Sequence, residues 1–91
     1  MNELTTWRAE VIVLPKEGVN DPEGEAILGG LGSLGYANVK HVTAGRLFQV
    51  VVRASDEAAA RQSVTKMCDQ LLANPVIEAY QIVIEPAQAQ E

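Results

Sequence analysis

Residues 7–24, WRAEVIVLPKEGVNDPEG, contain the transition that decides the fold: a strand, a short loop and the start of a helix. Alternate side chains from Trp7 to Val13 are apolar and share one side of a strand, since side chains alternate with period two. Pro15 has no backbone N–H and ends the strand. Residues 16–20 then form a loop in which Gly18 is free to take a positive φ angle.

Asp21 and Pro22 mark the start of the first helix. The Asp21 carboxylate can accept hydrogen bonds from free amides of the first turn, and proline at the first helical position loses no hydrogen bond. Gly35 supplies the C-terminal cap. The predicted apolar face of this helix comprises Ile27, Leu28, Leu31 and Leu34.

Four glycines make this helix intrinsically weak, because each costs about 1 kcal/mol relative to alanine in a helix interior. They are Gly24, Gly29, Gly30 and Gly32. They match neither the dinucleotide-binding nor the P-loop spacing. Two interpretations stay open: an exposed helix, or a close approach of a neighbouring backbone to Gly29 and Gly32.

The rest of the chain predicts three strands and one helix. Val39–Thr43 and Arg46–Ala54 form two strands joined by a tight turn at Ala44-Gly45. A second helix runs from Ser55 or Asp56 to about Ala73, with its apolar face formed by Ala60, Val64, Met67, Cys68, Leu71 and Leu72. Asn74-Pro75 ends it, and Val76–Glu85 is the last strand.

The order β-α-β-β-α-β is that of the ferredoxin-like α+β fold. We therefore expect a four-stranded antiparallel sheet in the order 4-1-3-2, with both helices on one face. The predicted single domain covers residues 7–86. Residues 1–6 are expected to be a disordered N-terminus and residues 87–91 a frayed tail.

The second face of this sheet is more apolar than an antiparallel sheet facing water requires. Residues 11–14, 50–52 and 82–84 are apolar on both sides. We estimate an exposed apolar patch on the order of 300–600 Å², the upper end for monomers. The sequence therefore predicts a homo-oligomer formed through sheet faces or edges.

Composition restricts the partners and the compartment. Twelve acidic and seven basic side chains give a net charge of −5, and the basic residues are scattered. An acidic chain repels phosphate backbones, so nucleic acid is not the expected partner. No apolar run reaches the roughly 20 residues that cross a bilayer, and the first residues carry no signal pattern. With a single cysteine, we expect a cytoplasmic protein without a membrane partner.

No catalytic, cofactor-binding or metal-binding set is recognisable in the sequence. His41 is the one imidazole and falls on a short strand, where surface positions are usual. Cys68 falls on the apolar face of the second helix, which predicts a buried structural thiol. One ligand-binding alternative remains open: an ACT-like regulatory module, which holds a small molecule at a dimer interface after the first strand.

Four motifs resemble the PurS family, the small subunit of phosphoribosylformylglycinamidine (FGAM) synthase. They are Lys16-x-Gly18-Val19-x-Asp21-Pro22-x-Gly24, Leu34-Gly35, Val39-x-x-Val42 and Gly45-Arg46. Together they cover about residues 8–85.

The resemblance implies a non-catalytic subunit of de novo purine biosynthesis. Such a subunit bridges a large synthetase subunit, which binds ATP and Mg, and a glutaminase subunit, and it supports ammonia transfer between them. The matching positions are expected to contact partners: Lys16, Gly18, Asp21, Pro22, Gly45 and Arg46. Lys16 and Arg46 are the side chains we expect to contribute most.

Overall fold

The computed structural model describes residues 4–87. The chain forms β1 (Thr5–Pro15), α1 (Pro22–Ser33), β2 (Arg46–Ala54), α2 (Glu57–Met67), a π-helical turn (Cys68–Leu72) and β3 (Glu78–Pro86). Thr5 and Thr6, predicted to be disordered, belong to β1. Ala87, predicted to start the frayed tail, donates a backbone hydrogen bond to Thr6. The other residues of these two predicted segments, 1–3 and 88–91, lie outside the described residues.

The described strands form an antiparallel sheet in the order β2-β1-β3. In the centre of β1, Val11 lies opposite Phe48 of β2 and Ile82 of β3. This register places the odd-numbered apolar residues of β1 on one face, as the period of two predicted. Ala9, Val11 and Val13 are almost fully buried there.

α2 covers this face of the sheet. Asp56 caps it by accepting a hydrogen bond from the Ala59 amide at 2.8 Å. Val64 and Cys68 project from α2 and the following turn into the core, where both are fully buried. The prediction that Cys68 is a buried structural thiol is therefore confirmed. Among the described residues the core also includes Ala9, Val11, Val13 and Ala73.

The last turn of this helix is wider than predicted. The Ala73 amide donates to the Cys68 carbonyl, five residues back, which is the π-helical pattern. The wider turn rotates the following side chains away from their α-helical positions. Leu71, predicted on the apolar face, is 83% exposed for this reason.

The predicted strand Val39–Thr43 does not form in the structure. The expected hairpin at Ala44-Gly45 is also absent from this segment, because the Ala44 amide donates to the Asp21 carboxylate at 2.9 Å. The Val42 carbonyl lies against Gly24, where an added Cβ would approach it to 2.3 Å. Both contacts hold the segment against the start of α1, so it does not pair with β2. The described sheet has three strands, and the four-stranded prediction is wrong for this structure.

The prediction that both helices cover one face is also wrong. α2 packs against all three strands, whereas α1 has no comparable packing with any described strand or helix. Gly24 is the one buried residue that α1 contributes within the described chain. The helix itself ends as predicted: Gly35 has φ 102°, and the Tyr36 amide donates to Leu31 in a Schellman motif.

Within residues 4–87, no helix combines the length and the apolar character needed to cross a membrane.

Candidate functional site

The six residues expected to contact partners gather at one end of the sheet. β1 ends there and β2 and β3 begin there, since Val13 lies opposite Arg46 and Pro15 opposite Glu78. We call this region the loop end of the sheet. It contains Lys16, Gly18, Asp21, Pro22, Gly45 and Arg46.

The loop after β1 is a tight turn. The Val19 amide donates to the Lys16 carbonyl at 3.1 Å, and Gly18 at the third position has φ 84°. Only glycine adopts this left-handed conformation without strain. The predicted positive φ of Gly18 is therefore confirmed. The turn directs the chain from the central strand to the start of α1.

Asp21 connects the two chain segments that meet at the loop end. One carboxylate oxygen accepts from the Gly24 amide at 3.0 Å and the other from the Ala44 amide at 2.9 Å. These two hydrogen bonds, with a smaller contribution from His41, lower the pKa of the Asp21 carboxyl below its ordinary value. Pro22 occupies the first turn of α1, as predicted. The geometry makes Asp21 both a helix cap and a clamp on the segment before β2.

Arg46 points toward the start of β3. Its guanidinium donates to Glu78 at 2.9 Å and to the Leu72 carbonyl at 3.3 Å, and it lies 5.7 Å from the centre of the Phe48 ring. The Arg46 side chain is nevertheless 52% exposed. Arg46 therefore connects β2 to the start of β3, and its charge remains accessible at the surface.

Glu78 also belongs to this site, although no pattern in the sequence indicated it. Its carboxylate also accepts from the Asn74 amide at 2.8 Å, and this hydrogen bond is the main cause of its lowered pKa. The Asn74 side chain in turn accepts from the Val76 amide at 3.0 Å. The Asn74-Pro75 pair predicted the end of the second helix. It did not predict that the Asn74 amide donates a hydrogen bond to the Glu78 carboxylate.

Lys16 also has a partner within the chain. Its ammonium donates to the Pro75 carbonyl at 2.6 Å, and its backbone amide donates to Ile77 at 2.8 Å. An ammonium group has three donors. Because Lys16 is exposed, this contact leaves its charge accessible at the surface.

A cleft of about 810 Å³ lies between the loop after β1 and residues 41–43. Lys16, Gly18 and Asp21 line it, together with Glu25 and His41. Gly45 and Arg46 do not line it. Instead, Gly45 lies against the Val13 carbonyl, where an added Cβ would be 2.1 Å from the oxygen. Three of the six predicted residues therefore line the cleft, and Pro22, Gly45 and Arg46 do not.

Two further titratable groups of the chain have raised pKa values. Cys68 lies in the core, and burial raises the pKa of its thiol, which disfavours the nucleophilic thiolate. Tyr80 donates to Asp69 at 2.9 Å, and this hydrogen bond raises the pKa of the phenol. Among residues 4–87, no three His, Cys, Asp or Glu side chains are grouped as metal ligands.

Comparison with known proteins identifies the family of this fold and loop. The family model described as PurS, phosphoribosylformylglycinamidine (FGAM) synthase, matches residues 8–86. The PurS subunit of phosphoribosylformylglycinamidine synthase from Archaeoglobus fulgidus is 45% identical over 75 residues. The match covers 82% of this chain and 94% of the relative.

Solved structures show the same relationship. The crystal structure of PurS from Methanocaldococcus jannaschii is 38% identical, with a TM-score of 0.80 over 90% of this chain and 99% of that one. A chain in the structure of PurLQS from Thermotoga maritima is 30% identical, with a TM-score of 0.81 over 88% of this chain and 98% of that one. The family match extends from β1 to the end of β3 and includes the loop end with its Lys16–Gly24 motif, so the chain belongs to the PurS family.

Proposed function

We propose that this chain is the small, non-catalytic subunit of the FGAM synthase complex in purine biosynthesis. The observation that carries the proposal is the family match over nearly the whole domain. Likeness to a chain of the PurLQS structure supports a role within a complex. In this role the subunit bridges a synthetase and a glutaminase and supports ammonia transfer between them.

The division of labour assigns the chemistry to the other subunits. We place ATP and Mg on the synthetase and assign no cofactor to this chain. Support comes from the burial of Cys68 in the core, which keeps this thiol from substrates. The subunit works in the cytoplasm and forms a homo-oligomer. The net charge of −5 supports protein partners over nucleic acid or an acidic membrane surface.

Reconstitution with the synthetase and glutaminase subunits of the same cell tests this function. We expect that omitting this chain reduces glutamine-dependent FGAM formation at least tenfold. Formation driven by added ammonium salts should remain, because free ammonia bypasses transfer between subunits. An equal rate of glutamine-dependent formation with and without the chain would contradict the proposal.

The loop end is the surface we propose for contact with the other subunits. Lys16 and Arg46 support this, because each keeps an accessible charge while its position is set by hydrogen bonds within the chain. Gly18, Asp21, Pro22 and Gly45 hold the backbone that carries these two side chains. A pre-positioned cation loses less conformational entropy on binding than a mobile one.

Charge reversal at Lys16 and Arg46 tests this surface. We expect Lys16→Glu and Arg46→Glu each to weaken assembly with the other subunits about tenfold or more, measured by sedimentation or surface-based binding. Arg53→Glu is the matched control, since Arg53 is an exposed cation opposite Thr6, at the other end of β2 from Arg46. Circular dichroism checks folding, because Arg46 also pairs with Glu78. Unchanged assembly by both folded variants would remove the loop end as the contact.

A further inference from the structure

The segment between α2 and β3 carries an apolar surface at the loop end. Leu71 is 83% exposed and Val76 78% exposed, the two highest values for large apolar residues within residues 4–87. Ile77 is 43% exposed. A single exposed leucine is ordinary in a folded protein, but three such residues within seven positions form a candidate contact surface. We call these three residues the 71–77 patch.

The π-helical turn is the reason that Leu71 faces water. Cys68 at the start of the turn and Ala73 after it are both buried, so the turn is fixed at both ends. In a regular α-helix, Leu71 would lie on the same side as Cys68, three residues earlier, and would pack toward the core. π-helical turns are rare and occur frequently at functional sites. The turn therefore indicates that the exposure of Leu71 serves a contact.

Hydrogen bonds within the chain hold Val76 in place. Its amide donates to the Asn74 side chain at 3.0 Å. The Ile77 and Glu78 amides both donate to the Asn74 carbonyl, at 3.2 and 2.7 Å. Asn74 thus fixes a short turn that presents Val76 to solvent. A residue on a fixed turn loses less conformational entropy on binding than one on a mobile loop.

The two cations of the loop end border this patch. Arg46 donates to the carbonyl of Leu72, which directly follows the first patch residue. Lys16 donates to the carbonyl of Pro75, which directly precedes the second. Since successive Cα atoms lie about 3.8 Å apart, each cation is close to one strongly exposed apolar side chain.

The accessible charge beside the patch is the cation of each contact. Lys16 is exposed and donates to a neutral carbonyl. In the Arg46–Glu78 pair, the arginine side chain is 52% exposed and the carboxylate side chain 16% exposed. Contacts between proteins combine an apolar centre with a polar rim and complementary charge. A surface that fits this one therefore has an apolar centre with carboxylates around it.

A second copy of the chain does not fit the patch through the same surface. In a two-fold contact both copies present the same residues, so Lys16 and Arg46 of one copy would face those of the other. Like charges brought together in this way repel. A different subunit has no such restriction.

We propose that the 71–77 patch is the apolar centre of the contact between this chain and another subunit of the FGAM synthase complex. The receiving surface is an apolar depression that holds Leu71 and Val76, with carboxylates at its border that bind Lys16 and Arg46. The assignment rests on the proposed function and adds to it the residues that exclude water from the centre of the contact.

Substitution of the patch tests this assignment in the presence of the synthetase and glutaminase subunits. We expect Leu71→Asp and Val76→Asp each to weaken assembly about 100-fold, because each would bury an unpaired carboxylate. Leu4→Asp is the matched control and should assemble normally. Leu4 is 53% exposed and precedes β1, at the opposite end of the sheet from the loop end. Assembly of both patch variants with the affinity of the unmodified chain would overturn the proposal.

Two further measurements do not depend on a loss of binding. Light scattering of the isolated chain should give the same mass for Leu71→Asp as for the unmodified protein, since the proposed partner is a different subunit. A photoreactive phenylalanine analogue at Leu71 should crosslink to the synthetase or the glutaminase in the assembled complex. A changed mass, or crosslinks to copies of this chain alone, would overturn the proposal.

The proposed function and the patch can fail separately. If glutamine-dependent FGAM formation does not need this chain, the proposed function fails, and the assignment of the patch fails with it. If the chain is needed and assembles, but Leu71→Asp and Val76→Asp assemble equally well, the proposed function stands and the patch alone is rejected.

Discussion

Gly45→Ala is expected to lower the free energy of unfolding by about 3 kcal/mol, because a Cβ has no room at this position. It would lie 2.1 Å from the Val13 carbonyl oxygen and 2.6 Å from a methyl carbon of Leu14. Val13 lies in the central strand, opposite Arg46, so its backbone cannot move without disturbing both ladders. For a domain of this size the melting temperature should fall by roughly 12–20 °C. Thermal unfolding followed by circular dichroism measures it.

Gly29→Ala is the matched control for this effect. A Cβ at Gly29 would meet no described atom within 4 Å. Alanine should therefore raise stability by up to about 1 kcal/mol through its higher helix propensity. The same openness at Gly30 and Gly32 favours the interpretation of an exposed helix over a close backbone approach. Equal melting temperatures for Gly45→Ala and the unmodified protein would contradict this prediction. They would show that the backbone around Val13 and Gly45 can shift to admit a Cβ without loss of stability.

Asp21→Ala is expected to cost about 2 kcal/mol, since it removes the cap of α1 and the acceptor of the Ala44 amide together. Asp56→Ala is the control, because Asp56 caps α2 through a single hydrogen bond to Ala59. It should cost about 1 kcal/mol. Urea unfolding at pH 7 compares the two. Equal costs would indicate that the Asp21–Ala44 hydrogen bond adds nothing to the cap.

Asp21 also gives the stability a defined pH dependence. Its carboxyl has a pKa below the ordinary value of 3.8, because the folded state stabilises the charged form through two amides. The stabilisation of the folded state by the Asp21 carboxylate is therefore present above pH 3.8, the ordinary pKa. It is lost as the pH falls through the lower pKa of Asp21 in the folded state. Glu78, whose pKa is lowered from 4.5 mainly by the Asn74 amide, acts in the same direction. The unmodified protein should lose more stability than Asp21→Ala between about pH 5 and pH 2. An equal loss of stability in the unmodified protein and in Asp21→Ala would show that Asp21 does not cause this pH dependence.

The local elements followed from the sequence because they depend on neighbouring residues. Asp21 and Pro22 start α1, and Gly18 and Gly35 adopt positive φ angles. The alternation in β1 correctly placed Val11 and Val13 in the core. Each of these features needs only backbone geometry and a period, which a few residues specify.

The loop end could be anticipated only in part. The motif from Lys16 to Gly24 and the pair Gly45-Arg46 marked the right region, since both flank strand ends that meet in the sheet. The contacts of Arg46 with Glu78 and of Lys16 with Pro75 join residues more than 30 positions apart. Such pairings depend on the register of three strands, which local patterns do not encode.

By itself, the sequence determined the helices, the long strands, their caps, the buried thiol and the family. The tertiary structure decided that residues 42–44 lie against the start of α1 and that α1 does not pack on the sheet as α2 does. The physical reason is competition for the same backbone groups. The Ala44 amide could have served a hairpin, but the Asp21 carboxylate, 23 residues earlier, takes it. A charged acceptor forms the stronger hydrogen bond, and in the structure this segment lies against the start of α1 and not in the sheet.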